Sequence, residues 1–321
     1  MYLSRIKGFR RFSVSTLVFV AVEDTYTSQI HQPVQSKMEP LLAAHEIGEG
    51  LPVLIIHGWQ MEGKVEELDF EPILSQTQGV RRIYVDLPGM GSTPANNVRD
   101  LDEIYRRLVQ FIDSRIGNSG FLVAGSSCGG YLARAIAQKY REQVDGLLLR
   151  VPLIEPEDSK RDLDAFKPLI TNEQLISNMP AEDRTLLGNV LIQTPAYIKA
   201  LKAKYEEVIV PAERAADQTV LDPIRADPQR YQLSIRLDDE IAKFSAPTLI
   251  VCGRQDGVVG YRDCLRLLEL YPRSTFAVLD RGTHGLPVDG TEKSVFAALV
   301  HDWIVRVNEW RAARTDTSSS A

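Results

Sequence analysis

The 321-residue sequence predicts an α/β fold, in which a mostly parallel, doubly wound sheet carries an inserted helical segment. Short apolar runs ending in glycine or a polar residue alternate with stretches whose apolar residues recur at helical spacing. That alternation is typical of parallel strands joined by helical crossovers on both faces of a sheet. The alternation stops near residue 155 and resumes near residue 246, which predicts a helical insertion between two strands.

The composition is that of an ordinary globular protein with a large core, since 44% of the residues are hydrophobic and 25% are charged. The net charge of −6 argues against a nucleic-acid partner, which normally needs a basic face. The three cysteines, Cys128, Cys252 and Cys264, match no zinc-binding spacing and cannot all pair with one another. We therefore expect buried thiols in a reducing compartment.

The first 40 residues are compatible with three interpretations. Basic residues precede the apolar run 12–22, as at the start of a secretory signal, but no small-residue cleavage site follows. The run is also too short and too polar to span a membrane. An extra strand or a weakly ordered extension is favoured, because the cysteine usage does not look extracellular. We expect a cytoplasmic protein, with secretion as the alternative.

The first core strand is predicted over 51–56, a continuous apolar run of the kind buried on both faces. It ends in His57-Gly58-Trp59, a loop that can turn backbone N–H groups inward because Gly58 allows close approach. A second strand over 81–86 leads into the Pro/Gly-rich loop 87–94. A helix is predicted from 101 through 114.

The segment 125–129, Gly-Ser-Ser-Cys-Gly, lies between an apolar run and a stretch with helical spacing. A G-x-S-x-G pattern at a strand-to-helix turn exposes its central serine, here Ser127, at the N-terminus of a helix. The glycines are needed because so sharp a turn leaves no room for side chains beside the serine. The alternatives are a glycine-rich connector with incidental serines, or Cys128 as the nucleophile.

Residues 155–240 show charged, helical patterns without a strong strand signal, and prolines divide them into short helices. Because long insertions in compact domains are usually functional, we interpret this one as a lid over the carboxyl edge of the sheet. A peripheral helical appendage is the alternative. Trp59 and the lid residues Tyr197, Tyr205 and Tyr231 are candidate substrate-binding residues.

The core resumes with the predicted strands 246–253 and 274–279, and it therefore comprises residues 41–154 and 241–313. Asp256 follows the first of these strands, and His284 follows the second. A closing helix precedes the polar tail 314–321, which we expect to be disordered.

Ser127, Asp256 and His284 each follow a predicted strand, so the three side chains are expected at the same edge of one parallel sheet. The order Ser, Asp, His is the one expected of this strand–turn–helix arrangement. Imidazole can accept the serine proton while a carboxylate holds its second nitrogen. The backbone N–H groups of Trp59 and Cys128 are candidates for the oxyanion hole.

Several residues compete for these roles. Glu155, which also follows a strand, and Asp280 are alternatives to Asp256 as the acid. His284 could be an ordinary surface-loop histidine, although its position after Ser127 and Asp256 favours the base. His57 is expected to shape the oxyanion loop rather than to transfer protons.

The chain resembles the α/β-hydrolase superfamily, and within it the lidded serine-hydrolase branch of mostly unassigned activity. The motifs that carry the resemblance span residues from about 45 to 310: Gly48-Glu49-Gly50-Leu51-Pro52-Val53, His57-Gly58-Trp59, Asp86-Leu87-Pro88-Gly89-Met90-Gly91, Gly125-Ser126-Ser127-Cys128-Gly129-Gly130-Tyr131, Gly253-Arg254-Gln255-Asp256 and Gly282-Thr283-His284. The resemblance implies Ser127 as nucleophile, Asp256 as acid, His284 as base, and no cofactor or metal. Leu286-Pro287 after the histidine departs from the commonest pattern.

The function predicted from these features is hydrolysis of a small, fairly apolar ester through an acyl-enzyme. Cleavage of an amide, peptide or carbon–carbon bond by the same triad is an alternative, and a non-catalytic ligand-binding protein is another. A serine at the elbow excludes the dehalogenase and epoxide-hydrolase branches, which attack with aspartate. The expected partner is a small-molecule substrate, and the chain is expected to be a monomer or a homodimer.

Overall fold

A computed structural model of the chain describes residues 42–238 and 243–318. Its sheet has seven strands: β1 (Ala44–Ile47), β2 (Leu51–Ile56), β3 (Val80–Val85), β4 (Phe121–Ser126), β5 (Val144–Arg150), β6 (Thr248–Gly253) and β7 (Ser274–Leu279). The strand order is β1-β3-β2-β4-β5-β6-β7. Only the pairing of β1 with β3 is antiparallel among these neighbours. The predicted α/β fold with a mostly parallel, doubly wound sheet is confirmed.

The helices outside the insertion are α1 (Gly63–Leu74), α2 (Leu101–Arg115), α3 (Cys128–Lys139), α9 (Leu267–Leu270) and α10 (Gly290–Ser318). Helices α1 and α10 cover one face of the sheet, where Phe70 and Phe296 meet edge to face at 5.4 Å. Helices α2, α3 and α9 cover the other face. Because both faces are covered, the central strands are buried except at Leu51, the first residue of β2, which explains their continuous apolar runs.

Between β5 and β6 the chain forms a helical insertion, residues 155–238 as far as the structure describes them. Its helices are α4 (Glu173–Ser177), α5 (Ala181–Leu187), α6 (Pro195–Lys204), α7 (Val210–Ala215) and α8 (Gln218–Arg225). A π-helical turn, Tyr205–Ile209, joins α6 to α7. Part of the insertion forms a small apolar cluster around Leu187, Leu191 and Tyr197, which Val288 of the core completes.

Two elements differ from the sequence-based expectation. Helix α1 was not predicted, because Glu66 and Asp69 lie on its buried face and interrupt the apolar pattern. Helix α10 continues through Ser318, so the prediction of a disordered tail over 314–321 is corrected for residues 314–318.

The extension predicted over residues 1–40 lies outside the described residues. Within the described ranges, none of the helices combines the length and the apolar character that crossing a bilayer requires. All three cysteines are buried and unpaired, as expected for structural thiols.

Candidate active site

Ser127 lies at the turn between β4 and α3, with φ 53° and ψ −121°. This backbone conformation is strained for a residue with a side chain, and such strain is concentrated at functional sites. The flanking glycines make the turn possible. A Cβ atom on Gly125 would lie 2.2 Å from the carbonyl oxygen of Gly129, and one on Gly129 would lie 2.2 Å from that of Ile56. Only glycine fits at either position.

Ser127, His284 and Asp256 form one hydrogen-bonded chain at the carboxyl edge of the sheet. The Nε2 atom of His284 lies 3.0 Å from Oγ of Ser127. Its Nδ1 atom lies 2.9 Å from Oδ2 of Asp256. The other carboxylate oxygen, Oδ1, accepts the backbone N–H groups of Val258 and Val259 at 2.8 and 3.0 Å. The structure thus brings together the three residues that the strand ends predicted.

The carboxyl group of Asp256 is favoured in its ionised form although the side chain is buried. Burial acts to raise the pKa of Asp256, but the imidazole of His284 and the N–H groups of Val259 and Val258 outweigh it, so the pKa is lowered. An ionised Asp256 accepts the proton on Nδ1 of His284. That tautomer leaves the lone pair on Nε2 directed at the hydroxyl of Ser127.

The loop His57-Gly58-Trp59 passes directly beside the turn that carries Ser127. A Cβ atom on Gly58 would lie 3.3 Å from Cβ of Ser127, so a glycine keeps this approach open. His57 is fully buried, with Nδ1 2.7 Å from the carbonyl oxygen of Gly58 and Nε2 accepting the N–H of Leu87 at 3.0 Å. Burial lowers the pKa of His57, so the imidazole is held neutral and shapes the loop.

A cavity of about 420 Å³ opens onto Ser127 and His284 and is lined by both the core and the helical insertion. Its apolar lining comprises Trp59, Met61, Val65, Val151, Leu153, Leu201, Tyr205, Ile209, Tyr231, Val258, Val259 and Leu286. Three of the candidate substrate-binding residues, Trp59, Tyr205 and Tyr231, are in this lining. Tyr197 is only 2% exposed and lines a smaller cavity of about 200 Å³ that also borders His284 and Tyr205, so its contact with a substrate stays a prediction.

Residues 52–291 match the family model of the alpha/beta hydrolase fold. The chain belongs to the α/β-hydrolase family. A crystal structure of an alpha/beta superfamily hydrolase from Oenococcus oeni PSU-1 superimposes on it with a TM-score of 0.70 and 27% identity, covering 83% of this chain and 96% of that one.

Curated relatives of this α/β hydrolase include an esterase and a dienoate hydrolase. A pimeloyl-[acyl-carrier protein] methyl ester esterase of Shewanella oneidensis is 28% identical over 246 residues, which cover 74% of this chain and 82% of that protein. A 2-hydroxy-6-oxo-2,4-heptadienoate hydrolase of Pseudomonas putida is 24% identical over 266 residues, covering 81% and 91%. At a coarse level the chain is therefore a hydrolase whose relatives include esterases.

Part of the lining of this hydrolase's cavity is a pair of aromatic rings. The rings of Trp59 and Tyr231 meet edge to face at 4.9 Å, and the guanidinium of Arg225 lies 4.6 Å from the centre of the Tyr231 ring. Cys128 is fully buried close to Tyr231. Burial raises the pKa of the Cys128 thiol to about 12, which keeps it protonated and unreactive at neutral pH.

Sequence reasoning missed a buried cluster of four charged residues, three of which line the cavity. Oε2 of Glu66 accepts hydrogen bonds from Ser126 Oγ at 2.7 Å and from Nη2 of Arg150 at 2.8 Å. Arg150 also pairs with Asp69, which in turn accepts a hydrogen bond from Lys204 at 2.7 Å. We call these four residues, Glu66, Asp69, Arg150 and Lys204, the charge cluster. The only sequence signal was the spacing of the two acidic residues, which places them on one face of a helix.

The two competing acids make other hydrogen bonds in the described structure. Oε1 of Glu155 accepts the backbone N–H of Glu157 at 3.1 Å, within its own loop. Asp280 is exposed, and its carbonyl oxygen accepts a hydrogen bond from Gln255.

Proposed function

We propose that the protein is a cofactor-independent serine hydrolase that cleaves a small, fairly apolar carboxylic ester through an acyl-enzyme. The observation that carries the proposal is the imidazole of His284, which bridges Ser127 at 3.0 Å and Asp256 at 2.9 Å. A hydroxyl is a weak nucleophile until a positioned base accepts its proton, and this geometry supplies that base.

In the proposed reaction, Oγ of Ser127 attacks the carbonyl carbon while its proton passes to Nε2 of His284. Asp256 stabilises the imidazolium that forms and does not itself take the proton. The carbon–oxygen bond to the alcohol then breaks, and the alcohol leaves with the proton from His284. Water, activated by the same imidazole, attacks the acyl-enzyme, which releases the acid and restores the hydroxyl of Ser127.

The oxyanion formed in each step needs preorganised donors, and we assign this role to the backbone N–H groups of Trp59 and Cys128. Cys128 is the first residue of α3, where helix geometry leaves the amide without an intrahelical partner. Trp59 follows Gly58, whose close approach to Ser127 supports the assignment. Loss of one such donor typically costs about 3 kcal/mol of transition-state stabilisation.

The apolar lining of the cavity supports a fairly apolar acyl or alcohol group, and the esterase among the relatives supports an ester. We propose that the helical insertion acts as a lid and that Trp59, Tyr205 and Tyr231 contact the substrate. These side chains come from the core and from the insertion, so both parts would contribute to specificity.

The proposal is tested with a fluorophosphonate probe and intact-mass measurement. Wild type is expected to gain one probe mass, and Ser127→Ala is expected to gain none. Ser159→Ala is the matched control, because that serine is exposed on the insertion. Equal labelling of wild type and Ser127→Ala would show that another residue is the nucleophile.

Carbon–carbon bond hydrolysis is the second candidate, and it is favoured by the similarity to the Pseudomonas putida dienoate hydrolase. Turnover of a 2-hydroxy-6-oxo dienoate in preference to a panel of simple esters would support it. Labelling of Ser127 without turnover of esters, amides or the dienoate would instead indicate a non-catalytic ligand-binding protein.

A further inference from the structure

Lys204, the last residue of α6, extends from the helical insertion into the core beside the catalytic histidine. It is only 6% exposed. Its Nζ atom donates to Oδ2 of Asp69 at 2.7 Å and to the carbonyl oxygens of Gly285 and Pro287, both at 3.0 Å. An ammonium group has three N–H donors, so these three acceptors satisfy it completely.

The contacts of Lys204 join three segments that are far apart in the sequence. Asp69 belongs to α1 and is also paired with Arg150, so one end of the contact is fixed in the core. Gly285 directly follows His284, and its carbonyl oxygen is held by an ammonium from the insertion. A buried ammonium without partners is strongly unfavourable, so the contact holds its acceptors in place.

The loop that carries His284 is also closed by a second ion pair, so Lys204 is not needed merely to close the loop. Arg281 pairs with Asp289, and this pair joins the two ends of the loop. Lys204 instead contacts the loop at the residue next to the imidazole. Because it comes from the insertion, this contact exists only while α6 is seated on the core.

We propose that Lys204 is a positioning residue that aligns His284 between Ser127 and Asp256 and couples this alignment to the seating of the helical insertion. The proposal rests on the serine-hydrolase function proposed above. Misplacement of a catalytic group by about 1 Å can cost roughly 100-fold in rate. Loss of the Lys204 contact could therefore lower the reaction rate strongly.

The test compares Lys204→Met with Lys202→Met in the rate of labelling by a fluorophosphonate probe. Lys202 lies on the same helix but pairs with Asp183 and Glu206, both within the insertion, which makes it a matched control. The second-order rate constant is read from the time course of the labelled fraction, so it does not depend on how much of the preparation is folded. Final stoichiometry and the thermal midpoint are measured in parallel.

We expect Lys204→Met to label about 10- to 100-fold more slowly than wild type, and Lys202→Met to stay within about twofold. Where Lys204→Met folds poorly, Lys204→Met combined with Asp69→Asn also neutralises the carboxylate that has lost one of its two cationic partners, and the same slow labelling is expected. A wild-type rate constant in Lys204→Met, even with a lowered thermal midpoint, would overturn the proposal and leave a purely structural lysine. Failure of wild type itself to label would instead refute the serine-hydrolase function, and with it this role of Lys204.

Discussion

Nδ1 of His284 lies 2.9 Å from Oδ2 of Asp256, although 28 residues separate them in the sequence. The two residues meet because β6 and β7 are parallel neighbours, so the loops that follow them leave the sheet at the same edge. The two backbone N–H groups on the other oxygen of Asp256 fix the carboxylate before a substrate arrives. The backbone therefore holds the carboxylate of Asp256 in place, and the carboxylate in turn holds the imidazole of His284.

Asp256→Asn is expected to lower kcat by about 10³- to 10⁴-fold, because an amide at this position no longer favours the tautomer with its proton on Nδ1 of His284. The measurement is steady-state hydrolysis of whichever ester proves to be turned over. Asp280→Asn serves as the control, since that carboxyl is exposed. Equal rates for wild type and Asp256→Asn would remove Asp256 from the mechanism.

The lowered pKa of Asp256 also predicts a pH dependence of stability. A carboxyl whose pKa is lower in the folded state contributes stability that is present above its unfolded pKa, about 3.9, and is lost as pH falls through the folded value. Wild type is therefore expected to lose stability relative to Asp256→Asn as the pH falls. Its free energy of unfolding minus that of the variant should decrease between pH 6 and pH 3. Urea titrations at several pH values measure it, and a constant difference would contradict the lowered pKa.

The sequence was sufficient to predict that Ser127, Asp256 and His284 lie close together, because each follows a strand and strand ends can be read from local apolar runs. In a parallel sheet, residues that follow different strands are expected to lie near one another, because all the carboxyl ends lie along one edge. The glycines around Ser127 added a second local signal. Its physical basis is that a Cβ atom on Gly125 or Gly129 would lie 2.2 Å from a backbone oxygen.

The charge cluster could not be predicted in the same way. Glu66 and Arg150 are separated by 84 residues, and Asp69 and Lys204 by 135, so nothing local indicates that they meet. Charged residues on a helix normally indicate a solvated face. Because Glu66 and Asp69 lie on the buried face of α1, its apolar pattern was interrupted and the helix was not predicted. The cavity that Tyr197 lines could not be predicted for a related reason, because helical spacing does not show which cavity a helix face borders.

Removing Arg150 is expected to destabilise the fold strongly. Arg150→Met leaves Glu66 without its buried cationic partner, and breaking such a pair typically costs about 3–5 kcal/mol of unfolding free energy. Lys160→Met is the control, because Lys160 pairs with Glu157 at the exposed surface and should change stability little. Denaturant unfolding of both variants measures the effect. Similar midpoints for the two variants would indicate that the charge cluster contributes little to stability.

Cys128 is expected to be unreactive in the folded protein, because burial raises the pKa of its thiol to about 12. Iodoacetamide at pH 8 should modify none of the three buried cysteines in the native state and all of them after unfolding. Cys128→Ala should still gain one fluorophosphonate mass, on Ser127. Rapid native alkylation of Cys128, or loss of probe labelling in Cys128→Ala, would favour the cysteine as nucleophile.

Gly129→Ala is expected to abolish probe labelling of Ser127, because the added Cβ would lie 2.2 Å from the carbonyl oxygen of Ile56 and 2.4 Å from that of His57. Both contacts are with backbone atoms, so the clash is relieved only when the turn at Ser127 moves away from residues 56 and 57. That movement would separate Ser127 from the proposed oxyanion donor on Trp59. Gly290→Ala is the control, since a Cβ there meets no atom within 4 Å. Labelling rates and thermal midpoints of the two variants are compared with wild type. A Gly129→Ala variant that labels at the wild-type rate would mean that the elbow tolerates a side chain where the structure leaves no space.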